Sequence, residues 1–91
     1  MVIIWSARAR RDFDRLVAST AAHSPKGAKR ISTRILNRIA DLEEMPFQGS
    51  LLPRNLRRLE VTRTPYLLIF RVDRDAVRLV RILHGRRGRR S

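Results

Sequence analysis

The chain has 91 residues, with 21 lysines and arginines against 8 aspartates and glutamates, a net charge of +13, and no cysteine. These numbers exclude disulfides and thiolate metal sites. No apolar run approaches the roughly 18 residues that a membrane span needs. Met1 to Trp5 is too short for a signal-peptide core and lacks the preceding basic stretch, so the sequence predicts a cytoplasmic protein. A domain this small buries only roughly 60–65% of the surface its unfolded chain exposes, and gains much from a partner. Self-repulsion at +13 favours a polyanionic or acidic partner, nucleic acid first and an acidic protein next. An arginine-favouring coding bias is the alternative reading of the same count.

Val2-Ile3-Ile4-Trp5 clusters β-branched residues and predicts a short strand, with Ser6 after it as a helix N-cap. From Ala7 to about Ala22 the period changes to helical. Ala9, Phe13, Leu16, Val17 and Thr20 share one face, read as core, while Arg8, Arg11, Asp12, Arg15 and Ser19 take the other. His23-Ser24-Pro25 breaks this helix and starts a second, with Ser24 as N-cap and Pro25 at the first helical position. Ala28, Ile31, Ile35, Ile39 and Leu42 make its apolar stripe, and Met45-Pro46 ends it near Glu44. Two helices joined this tightly predict an antiparallel hairpin. Arg30, Arg34 and Arg38 recur every four residues on the outer side, where like charges repel. That row is either a solvated face or a docking surface.

Phe47 to Asn55, punctuated by Gly49 and Pro53, predicts a loop whose apolar residues fold over the end of the core. Three strands follow: Leu59 to Thr62, Pro65 to Val72 and Val77 to Leu83. Pro65 has no N–H for a ladder, which places it at the start of its strand. The short polar gap Asp73-Arg74-Asp75-Ala76 predicts an antiparallel hairpin between the last two. The chain then runs Gly85-Arg86-Arg87-Gly88-Arg89-Arg90-Ser91, with nothing to bury. The expected fold class is α+β: a single domain over residues 1–85, ordered β-α-α-β-β-β, with a helical hairpin on a small antiparallel sheet. Residues 86–91 form a basic tail, and the sheet's second face stays partly open.

The sequence has no P-loop, HExxH, GxSxG or metal-spaced cluster, and neither a cofactor nor a metal is expected. One chemistry suits a site built from arginines, metal-independent RNA cleavage. There the substrate's 2′-OH attacks, guanidinium groups stabilise the phosphorane charge, and a His, Tyr or Lys moves protons. Arg58, Arg71, Arg81, His84, Arg86 and Arg87 are the candidates for such a site, or for binding a target or partner. His84 closes the last strand beside the arginines; its alternative reading is a strand-end histidine bonded to a backbone carbonyl. Tyr66 reads as core or rim packing before it reads as an acid, and His23 as a loop residue beside a helix cap.

An ordered set of residues resembles the RelE/ParE superfamily of toxins from bacterial type II toxin–antitoxin systems, its ParE branch above all. The set begins with Trp5-Ser6, Ala9 and Asp12, then Ser24-Pro25, then Leu42, Pro46 and Gly49. It continues through Arg57 to Val61, Pro65-Tyr66 and Phe70-Arg71-Val72, and closes with Ile82-Leu83-His84-Gly85-Arg86. The resemblance implies the β-α-α-β-β-β fold already expected. RelE-side relatives look like ribosome-dependent mRNA endonucleases, with basic residues at alternate positions of the second strand, an arginine after the aromatic that opens the third, an arginine beyond the last strand and often a late tyrosine. Arg58 and Arg87 match two of these positions, while Glu60 and Leu67 stand where a basic residue and an arginine are expected, and no tyrosine follows Arg87. Losing the arginine and the tyrosine removes one charge stabiliser and one acid or base, each typically worth about 10²–10⁴-fold in rate.

The resemblance therefore implies a ParE-like poison of DNA gyrase with no chemistry of its own. Its expected partner is a cognate acidic, ParD-like antitoxin that wraps it as a hetero-oligomer, by helix-in-groove contacts or strand addition. Operator DNA would be met only through that antitoxin, and membrane not at all. Plasmid stabilisation and growth arrest are the implied outcomes. The rival readings are a RelE-like mRNA endonuclease using Arg58, His84 and Arg87, and a non-toxic basic nucleic-acid-binding protein.

Overall fold

The computed structural model describes residues 1–85. Strand β1 (Val2–Trp5) leads into α1 (Ala7–Ala21), α2 (Pro25–Glu44), β2 (Ser50–Leu51), β3 (Leu56–Glu60), β4 (Tyr66–Val72) and β5 (Ala76–His84). The Ser6 hydroxyl accepts from the Ala9 N–H, and the Ser24 hydroxyl from the Gly27 N–H, so each helix opens on the serine expected to cap it. After α1 the chain reverses through Ala22, His23 and Ser24, whose N–H groups return to Ala18 and Thr20 carbonyls. The two helices then pack on each other and on the sheet.

The predicted antiparallel meander is present: β3 pairs β4, and β4 pairs β5, with Leu59 opposite Leu68 and Leu68 opposite Ile82. The sheet extends beyond it at both edges. Its order is β1-β5-β4-β3-β2, and β1 runs parallel to β5, Val2 against Ala76 through Trp5 against Leu79. The sheet is therefore mixed and five-stranded, where the sequence pointed to an antiparallel one; nothing local in four apolar residues encodes a partner about 75 positions away. β2 is the second addition. Ser50 and Leu51 pair with Arg58 and Arg57, so part of the expected loop is an edge strand. Its apolar residues do not fold over the core as expected: Phe47 and Leu51 are exposed, and the Phe47 ring instead takes the Arg57 guanidinium at 5.3 Å.

One core lies between the helices and one sheet face. Phe70, Ile35, Leu42, Leu68, Leu79 and Val77 are fully buried in it, and each large side chain contributes about 1.5–3 kcal/mol. The stripes read from the sequence are the buried ones, Ala9 and Leu16 on α1 and Ala28, Ile35, Ile39 and Leu42 on α2. Trp5 meets Phe13 edge to face at 5.6 Å, fixing β1 against α1. Gly49, at φ +83, makes the turn into β2 so tightly that a Cβ there would lie 2.3 Å from the Arg58 carbonyl oxygen. Among the described residues no helix is long and apolar enough to cross a membrane.

Candidate functional site

The site grows out of an edge problem. β1 stops at Trp5 while β5 continues to His84, so the last half of β5 has no strand on that side. Side chains from the start of α1 take over. The Ser6 N–H donates to the Leu79 carbonyl and the Ser6 hydroxyl to the Val80 carbonyl. The Asp12 carboxylate accepts from the Ile82 N–H at 3.0 Å. A bulge opposite Ile69/Phe70 leaves Val80 as an extra residue and turns Arg81 to this edge. There both Nε and Nη2 of Arg81 reach Asp12, at 2.7 and 3.0 Å.

Asp12 was expected on the solvent side of α1; it is half-buried instead, because the unfilled strand edge and Arg81 both demand an acceptor. Burial raises its carboxyl pKa, but the Arg81 hydrogen bond, the Ile82 N–H and the charges of Arg81 and Arg8 outweigh that and leave it below the usual 3.8. Hydrogen bonding to Asp12 likewise pushes Arg81 up. Arg81 is thus largely neutralised by a structural pair and offers little net charge to an incoming anion.

At the same end of the sheet, Tyr66 opens β4 directly opposite His84, and the two rings meet edge to face at 5.4 Å. Thr64 shapes the preceding turn: its hydroxyl donates to the Val61 carbonyl and accepts from the Tyr66 N–H. The Gly85 N–H returns to the Pro65 carbonyl and closes the end of β5. Behind this turn lies a cleft of about 510 Å³ whose walls include Arg58, Glu60, Tyr66, Leu67 and His84. A second hollow, between α1 and β5, has Asp12, Arg15, Arg81 and again Tyr66 and His84 in its lining. The Tyr66–His84 pair is the wall between them.

The structure therefore brings Arg58 and His84 to one cleft, seats Arg81 in the neighbouring hollow, and puts Arg71 elsewhere. Arg71 lies five residues along β4 from Tyr66, about 17 Å away at strand rise, opposite Arg78 and Leu56. Arg86 and Arg87 lie outside the described residues. Arg58 carries a partner as well, Glu60 at 3.6 Å, two positions along the same strand and on the same face. Leu67, opposite Glu60, is 2% exposed and makes that wall apolar. The cleft combines two groups able to move protons, His84 and Tyr66, with two guanidiniums, Arg58 half-satisfied by the Glu60 carboxylate and Arg63 in no ion pair among the described residues. Among the described residues no group of three or more His, Cys, Asp or Glu side chains could hold a metal ion. Asp12 is the residue sequence reasoning missed; the signal available was an acidic residue one turn into a helix that begins at the edge of a short strand.

A helical hairpin on a mixed five-stranded sheet, with an arginine-lined cleft at the free end of its last strands, defines a small toxin of the RelE/ParE type. The chain belongs to the ParE toxin family: residues 3–89 match the family described as the ParE toxin of the type II toxin–antitoxin system, parDE. It is 27% identical over 85 residues to a protein named Toxin RelE1 from Caulobacter vibrioides, covering 91% of each chain. A solved structure described as the chromosomal ParDE TA system from P. aeruginosa superposes with a TM-score of 0.81 at 24% identity, over 92% of this chain and 95% of that one, which shows the shared fold.

Proposed function

We propose that this toxin acts by inhibiting DNA gyrase, trapping it with broken DNA, and that a cognate acidic antitoxin of the ParD type neutralises it in a cytoplasmic hetero-oligomer. The observation that carries the reading is the composition of the Arg58–His84 cleft. RNA cleavage by a site without metal needs several unencumbered cations around the scissile phosphate. Here Arg58 is paired with Glu60, Arg81 is paired with Asp12 in the neighbouring hollow, and a buried leucine, Leu67, stands on the wall where a further arginine would serve. That leaves Arg63, on the exposed β3–β4 turn, as the cleft arginine in no ion pair among the described residues. Such a surface suits docking better than chemistry. The net charge of +13 supports an acidic partner, and the parDE family assignment supports an antitoxin as that partner. Operator DNA would then be reached through the antitoxin, and growth arrest and plasmid stabilisation would follow from the pair.

The test combines two purified reactions. Supercoiling by gyrase should fall on adding the toxin and recover on adding the antitoxin encoded beside it. Ribosome-bound mRNA should stay intact under the same conditions. A second reading, mRNA cleavage, rests on His84 and Tyr66 standing together in the cleft with Arg58. A cut in the ribosomal A site that disappears in His84→Ala would establish it and displace the gyrase reading.

A further inference from the structure

A second charged surface lies on α2. The first four turns of α2 carry Lys26, Lys29, Arg30, Arg34 and Arg38, and no acidic residue occurs in the helix before Asp41. Lys26, Lys29, Arg30, Thr33 and Arg34 line one shallow hollow on the helix surface. Among the described residues Lys26, Lys29 and Arg30 enter no ion pair, whereas Arg38 is drawn off to Asp41. Arg34 donates to the Arg63 carbonyl at 3.1 Å, which joins the end of the row to the β3–β4 turn, whose Arg63 also lines the Arg58–His84 cleft. Like charges at four-residue spacing on one helix destabilise it by about 0.2–0.5 kcal/mol per pair. The row therefore works against the helix that carries it, and a bound anion would relieve the repulsion.

We infer that this face of α2 is a binding surface for the phosphate backbone of double-stranded DNA. The chemistry selects that occupant. Lys26 to Arg34 spans about 12 Å of helix axis, the length over which one DNA strand presents three or four phosphates at 3.4 Å each. A single strand is held chiefly by stacking its bases on aromatic rings, and no aromatic residue lines the hollow. A protein partner is anchored by large apolar or aromatic side chains in a pocket, and the lining offers only a threonine methyl and the alkyl stems of its lysines and arginines. What remains is a sequence-blind row of cations along one helix.

The experiment is a fluorescence-anisotropy titration of the full-length toxin with a short labelled DNA duplex, without gyrase, from about 50 to about 200 mM salt. Each phosphate contact adds about 0.9 to the slope of log K against log salt. K29Q/R30Q is expected to lower that slope by about 2 and to weaken binding at the low-salt end by tenfold or more. R11Q/R74Q removes the same charge from exposed arginines on α1 and the β4–β5 turn, neither in an ion pair, and should lower it less than half as much. Thermal melting of both variants verifies the fold. Equal losses in the two variants would mean that only net charge acts, and would overturn the assignment. So would tighter binding of a single-stranded oligonucleotide than of the duplex, or loss of polyglutamate binding in K29Q/R30Q with duplex binding unchanged.

Discussion

Asp12 is the residue on which most depends for its size. One carboxylate satisfies the backbone of β5 beyond the reach of β1, neutralises Arg81 and ties α1 to the sheet. Removing it leaves the buried Ile82 N–H without an acceptor, a hydrogen bond to a charged group worth about 1.5–3 kcal/mol, while the partly exposed Arg81 guanidinium turns to water. Asp12→Ala should lose about 2 kcal/mol, and thermal denaturation of a domain this size should report it as a fall of about 10 °C in Tm. The pH dependence has a definite sign. A carboxyl whose folded pKa is depressed contributes stability that is fully present above its unfolded value, near 3.8, and is lost as pH falls through the lower folded value. Asp12→Asn should therefore flatten the acid limb of a stability-versus-pH curve, and an unchanged limb would contradict the role given to this carboxylate. Gly49 is the second residue with a sharp expectation. At φ +83, with a carbonyl oxygen 2.3 Å from where a Cβ would sit, Gly49→Ala should cost more than about 1 kcal/mol in a urea titration, the scale of an incompatible backbone substitution.

At the scale of elements, Ser6 is the joint between helix and sheet. Its hydroxyl caps α1 through the Ala9 N–H and also donates to the Val80 carbonyl. Ser6→Ala should cost about 1–2 kcal/mol, the upper part of the N-cap range, because two elements lose a partner together. Chemical denaturation would show it, and a loss of a few tenths would mean the strand-edge bond is idle. The same joint explains what the sequence could and could not convey. Ser6, Ser24 and Pro25 are local signals read by the adjoining backbone, and the helices begin where they stand. The apolar stripes of α1 and α2 repeat at helical period and are the faces that became core. The parallel pairing of β1 with β5 was not legible, since Val2 to Trp5 would suit any neighbouring strand. The edge strand β2 was hidden for a related reason: two residues carry no period. Of the candidate site, Arg58 and His84 converge because β3, β4 and β5 pair in the expected order. Arg71 was separated by the rise along β4, and Arg81 by a bulge that no pattern of residues announced.

The whole molecule is a basic body with two differently built faces. At one end of the sheet Arg58 and Arg81 are matched, by Glu60 and Asp12; on α2, Lys26, Lys29 and Arg30 enter no ion pair among the described residues. At +13 the chain repels itself, and an acidic partner that binds only the folded state stabilises it by mass action. The antitoxin should raise the Tm of the toxin, and that gain should shrink with added salt if charge carries a large part of it. The central claim is tested most directly by mixing purified toxin, gyrase and supercoiled plasmid and trapping covalent protein–DNA complexes, with and without the antitoxin. The account predicts broken plasmid linked to gyrase that accumulates with toxin and disappears when antitoxin is present. Intact plasmid at saturating toxin, with ribosome-bound mRNA cut in parallel, would contradict it.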